Sequence, residues 1–89
     1  MVYALLRLAM SEISKIEQYA IDKVREKRIE AGISQEALSL KMELNSKFVG
    51  NVESVKRTTK YNLNHLNKIA QILGCSVREF LPQISNWDE

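Results

Sequence analysis

The strongest constraint on this chain is the frequency of its helix stop and start signals. Gly32 is followed by Ser34, Asn45 precedes Ser46, Asn62 precedes an apolar stripe, and Gly74 is followed by Ser76. Ser and Asn favour N-caps because their side-chain oxygens accept the free amides of a first turn, and Gly tolerates the left-handed residue that closes a helix. Period-two alternation and Asn-Gly or Asp-Gly hairpin dipeptides are absent. The pattern therefore predicts an all-α fold, a compact five-helix unit with an extended N-terminal helix.

Helix one is expected over about residues 11–31, where Ile13, Ile16, Ala20 and Val24 recur between charges, with an upstream extension through Tyr3. Helix two opens on Gln35 and Glu36 behind Ser34 and closes near Met42. Helix three is expected over residues 46–53 behind Asn45, with Phe48, Val49 and Val52 on one face. Helix four carries Leu63, Leu66, Ile69, Ala70 and Leu73, and helix five opens on a Ser76/Glu79 capping box and stops at Pro82. The chain then divides into a helical extension (1–19), a compact domain (20–82) and a tail (83–89). Leu5, Leu6, Leu8, Ala9 and Met10 join Ile13, Ile16 and Ala20 in an apolar surface that needs cover, across its own domain or from a second copy. Met10 is an alternative natural start.

Composition excludes whole classes of function. Eighty-nine residues suit one domain with a modest core and little depth for an enclosed active site. Cys75 is the only cysteine, so no intrachain disulfide forms, and with His65 the only histidine the three or four ligands of a zinc site are lacking. No cofactor is expected and no enzyme, because nucleophile, base and orienting group cannot be assembled from this set. Glu26 and Glu30 read as a solvated face, Cys75 as a packed side chain, and Trp87 as a tail anchor. The apolar run at residues 2–10 is too short for a membrane span. A reducing cytoplasm is the expected location.

Helices two and three are short, and Glu43 and Leu44 leave a very tight link between them, which is the layout of a helix-turn-helix. A major groove about 12 Å wide admits one helix, and eight residues at 1.5 Å rise span about 12 Å. Double-stranded DNA is therefore the expected partner. On helix three, Ser46 and Gly50 would let the backbone approach the bases. Lys47 can donate to guanine O6 and N7, Asn51 can pair bidentately with adenine, and Asn45 is placed to assist. Gln35, at the positive end of helix two, can take a phosphate. Lys56, Arg57 and Lys60, with the start of helix four at Asn62, are expected to grip flanking phosphates. The alternative for all of these is a solvated polar surface. The net charge is only +2, but residues 33–62 carry five basic against three acidic groups, and residues 63–89 two against three. Positive charge is thus concentrated around the reading helix.

In Lys27-Arg28-Ile29, Gly32-Ile33-Ser34-Gln35, Leu38, Phe48-Val49-Gly50-Asn51-Val52-Glu53 and Leu73-Gly74-Cys75-Ser76-Val77, the chain resembles the Cro and phage-repressor (XRE) family of helix-turn-helix domains over about residues 20–82. The resemblance implies base contacts from Ser46, Lys47 and Asn51 and a backbone clamp at Gln35. It also implies a structural pair between Arg28 and Glu53, which are otherwise two separate surface charges. Four residues depart from the family pattern: Ser39 stands where Ala is usual, Glu43 and Val55 where Gly is favoured, and Thr59 where Pro is common. A left-handed conformation costs a residue with a side chain about 1–2 kcal/mol. Either the turns at Glu43 and Val55 differ, or the core tolerates the strain.

The expected function is a sequence-specific transcriptional regulator, a homodimer on an inverted repeat with half-site centres about 34 Å apart. The rival is a helical protein-interaction module of the same fold, such as an antitoxin that binds a protein partner.

Overall fold

A computed structural model describes residues 13–84, and all of its regular structure is helical. Among these residues four α-helices follow in order, α1 (Lys15–Glu30), α2 (Gln35–Lys41), α3 (Phe48–Glu53) and α4 (Leu63–Leu73), and then a 3-10 turn (Val77–Phe80). The expected fifth helix is this one turn. Its Ser76/Glu79 capping box is present, but Pro82 lies too close for an α-helical ladder to be established.

Helix α1 begins later than the periodicity suggested. The Ser14 hydroxyl accepts the Glu17 amide at 3.2 Å, and the Glu17 carboxylate accepts the Ser14 amide at 2.9 Å. This reciprocal box fixes the first turn at Lys15, with Ser14 in extended backbone. The extension upstream, Met10 and Trp87 lie outside the described residues. The helix ends as expected: Gly32 is left-handed at φ 71°, and the Ile33 amide returns to the Arg28 carbonyl at 3.1 Å.

The same closure ends α2 without a glycine. The Leu44 amide reaches back to the Ser39 carbonyl at 3.0 Å, and the left-handed residue between is Glu43, at φ 64°. Val55 does not adopt a left-handed conformation, so only the first of the two suspect turns carries strain. Glu43→Gly is expected to raise stability by about 1 kcal/mol, because relief of the side-chain clash exceeds the entropy lost by glycine. A chemical-denaturation midpoint unchanged or lowered in this variant would show that the Glu43 side chain makes contacts worth more than the strain.

Helix α3 begins at Phe48 rather than at Ser46. Asn45 still closes the approach, its Oδ1 accepting the Lys47 amide at 2.8 Å and its carbonyl the Phe48 amide at 2.9 Å. Residues 46 and 47 therefore form a turn leading into the helix. Helix α4 matches its expected ends, and its Asn62 cap is reciprocated by His65, whose Nδ1 accepts the Asn62 amide at 3.0 Å. Burial pushes the His65 imidazole below its ordinary pKa, which favours the neutral ring that such an acceptor requires. The ring also lies 4.8 Å from that of Phe48, between centroids.

The core is filled by Val24 of α1, Leu38 of α2, Val49 and Val52 of α3, Ile69 of α4 and Phe80 of the 3-10 turn. Helix α1 packs against α3, α4 and the 3-10 turn, while α2 packs on α3. Tyr61 is also buried, and its hydroxyl has no hydrogen-bond partner among the described residues. Burial raises its phenol pKa.

Candidate nucleic-acid interface

Helices α2 and α3 are too short to be stable in isolation, so their mutual geometry must come from tertiary contacts. Besides the core packing of Phe48, Val49 and Val52, two polar contacts hold α3, one at each end. At its start, the Ser39 hydroxyl on α2 accepts the Val49 amide at 2.9 Å and donates to the Gln35 carbonyl at 2.9 Å. Ser39 is fully buried. It satisfies an amide that a helix N-terminus otherwise leaves without an intrahelical partner.

At the other end, Arg28 and Glu53 form a two-pronged pair, with Nε donating to Oε2 at 3.0 Å and Nη2 to Oε1 at 2.9 Å. The side chains are only 9% and 3% exposed. Arg28 Nη1 also donates to the Ile33 carbonyl at 2.8 Å, so one guanidinium joins α1, the turn before α2 and the end of α3. Glu53 further accepts the Gln35 amide nitrogen at 2.9 Å and lies 3.6 Å from Arg25 Nε.

Gln35 thus crosses the face of α3. It does so over Gly50, where an added Cβ would lie 3.2 Å from Gln35 Oε1. The absence of a side chain at Gly50 accommodates the glutamine as well as any close approach by a ligand. A shallow depression of about 330 Å³ is lined by Gln35, Glu36, Ser46, Lys47, Gly50 and Asn51. It brings the expected phosphate clamp together with three of the four expected base readers. Asn45 does not line it.

The other expected contacts are dispersed. Lys56 and Arg57 are exposed on the loop after α3 and enter no ion pair among the described residues. Lys60 pairs with Glu17 of α1 at 3.0 Å, and the Asn62 side chain is occupied in capping α4. Val55, in the same loop, is 97% exposed.

The sequence reading assigned no role at the site to Ser39, noted only as standing where Ala is usual, or to Glu36. Ser39 could have been suspected as a polar residue on the apolar face of a helix. Glu36 brings a carboxylate to the rim of the depression and opposes the neighbouring positive charge. Elsewhere, burial pushes the Cys75 thiol above its ordinary pKa; the residue packs against the core. Among the described residues no group of three or more His, Cys, Asp and Glu could hold a metal ion. No described helix is long and apolar enough to cross a membrane.

Comparison with known proteins agrees with this architecture. The family model for the Cro/C1-type HTH DNA-binding domain matches residues 23–83, from the middle of α1 to beyond the 3-10 turn. No curated protein and no solved structure matches the chain. With well over half of its length covered, including both helices of the motif and the Arg28–Glu53 lock, the chain belongs to the Cro/C1-type helix-turn-helix DNA-binding domain family.

Proposed function

We propose that the protein is a sequence-specific transcriptional regulator that inserts residues 46–53 into the major groove as a homodimer on an inverted repeat. The observation that carries this reading is the shared depression, in which Gln35 lies beside Ser46, Lys47 and Asn51. A phosphate contact and base contacts are then made by one rigid pair of helices. Lys47 donates to guanine and Asn51 pairs with adenine, while Ser46 and Asn45 support the approach at the start of α3.

The second hydrogen on Gln35 Nε2 remains for a phosphate while the first is held by Glu53. Lys56 and Arg57 supply further phosphate contacts, and Asn62 places the start of α4 beside the backbone. Lys60 joins them by exchanging Glu17 for a phosphate. A helix of this length reads only a few base pairs, and doubling by a two-fold axis supplies the rest of the specificity, with half-sites about 34 Å apart. The protein acts where DNA is, in the cytoplasm, and regulates by occluding the polymerase or through a protein partner.

Asn51→Ala is expected to weaken binding to the preferred sequence by about 1–3 kcal/mol and to leave binding to random duplex nearly unchanged. Lys56→Ala is expected to weaken both alike and to lower the salt slope by about one. Selection from a random duplex pool followed by titration over a salt series measures both effects. Equal losses on preferred and random DNA would remove Asn51 from base reading. No enrichment from the pool at low salt would favour the protein-interaction module instead.

A further inference from the structure

We infer that Ser39, which is fully buried and so out of reach of a ligand, is a positioning residue for base reading. It sets the placement of the first turn of α3 relative to the phosphate clamp. The inference rests on the DNA-reading function proposed above. One hydroxyl joins the backbone of Gln35 to the backbone of Val49, donating to the carbonyl of the first at 2.9 Å and accepting the amide of the second at 2.9 Å. Gln35 is the residue placed to hold a phosphate, and Val49 lies one turn or less from Ser46 and Lys47. The backbone of the phosphate clamp is thus joined to the first turn of α3 through a single oxygen, while its side chain is joined to the last turn through Glu53.

The two ends of α3 are held by different means, and this makes the role separable from stability alone. The C-terminal end is locked by Glu53 to Arg28 and Gln35, and Asn51 lies within that half. Among these links, the N-terminal end is held to α2 by the Ser39 hydroxyl. Beside the core packing of Phe48 and Val49, its other polar support is the Asn45 turn, which belongs to the same short connection. Loss of the hydroxyl leaves the Val49 amide buried without a partner. Such a group carries a desolvation penalty, which drives the first turn to move until the amide is satisfied. Ser46 and Lys47 move with it, while Asn51 stays with the Glu53 lock.

The test compares the wild type, Ser39→Ala and Ser39→Thr as full chains, at a temperature where circular dichroism shows each variant folded. Each is used to select from a random duplex pool and is then titrated on single-base variants of the selected site. Base positions at which Lys47→Ala loses preference are expected to lose at least about fivefold discrimination in Ser39→Ala. Positions read by Asn51, and affinity for random duplex, are expected to stay within about twofold. Ser39→Thr, which retains the hydroxyl, is expected to keep the wild-type pattern. Uniform loss over all positions, or an unchanged pattern in Ser39→Ala, would overturn the inference.

Should the alanine variant not fold, hydrogen exchange in the wild type decides. Protection of the Val49 amide comparable to that of core amides is expected, and exchange at the rate of loop amides would overturn the link. A wild type that selects no sequence would overturn the DNA-reading function, while the exchange measurement would still report on the Ser39 contact.

Discussion

Glu53→Ala is expected to cost about 3–5 kcal/mol of folding stability, the loss typical when one partner of a buried ion pair is removed. The carboxylate is 3% exposed and leaves behind an Arg28 side chain that is 9% exposed. It also serves Gln35, so the deletion removes the acceptor of three N–H donors on two residues. For a domain with a total stability of about 5–15 kcal/mol, such a loss approaches the whole margin. Urea denaturation of the two proteins measures it, and low sensitivity to salt is expected because buried charges are poorly screened. A loss below about 1 kcal/mol, the range of exposed pairs, would mean that Arg28 escapes to solvent when its partner is removed. Replacement of both residues by apolar side chains of similar volume is expected to recover most of the stability. It would leave Gln35 without its anchor, so DNA binding should recover less than folding does.

Phe80→Ala is expected to be comparably damaging, at about 3–5 kcal/mol. Phe80 is fully buried although it sits on a four-residue 3-10 turn. That turn packs on both α1 and α4, and the ring is part of the core cluster. Thermal unfolding reads the loss as a lowered midpoint. The folded fraction at low temperature should bind DNA normally, since the ring lies outside the interface. A loss under about 1 kcal/mol would show that the C-terminal turn can be shed without opening the core.

Much of this architecture was legible in the residues, for local reasons. Ser34, Asn62 and Ser76 cap their helices as expected, and Gly32 and Gly74 adopt the left-handed backbone that only glycine enters at little cost. The errors were also local. A periodic apolar stripe cannot reveal that Ser14 and Glu17 form a box that starts α1 at Lys15, because both residues read equally well as the polar face of a longer helix. Asn45 was a correct turn signal with the wrong boundary. Its side chain accepts the Lys47 amide as a cap would, but the helix opens only at Phe48, and the amide of the following residue, Val49, is taken by Ser39. At Glu43 the sequence left two outcomes open, and the packing of α2 against α3 imposes the strained one.

The site divides along the same line. That Lys47 and Asn51 would share a face followed from their four-residue spacing, and that Gln35 and Ser46 would lie near them followed from the tight link expected between two short helices. What each polar side chain does with its hydrogen bonds did not follow. Lys60 finds Glu17 forty-three positions away, Arg28 finds Glu53 at a separation of twenty-five, and Gln35 finds Glu53 at eighteen. The sequence alone determined the helices, most of their caps and the candidates for DNA reading, since these depend on neighbours along the chain. Only the tertiary structure decided which donors are committed internally and which remain for a ligand. Those pairings depend on distance in space, and the folded core sets that distance.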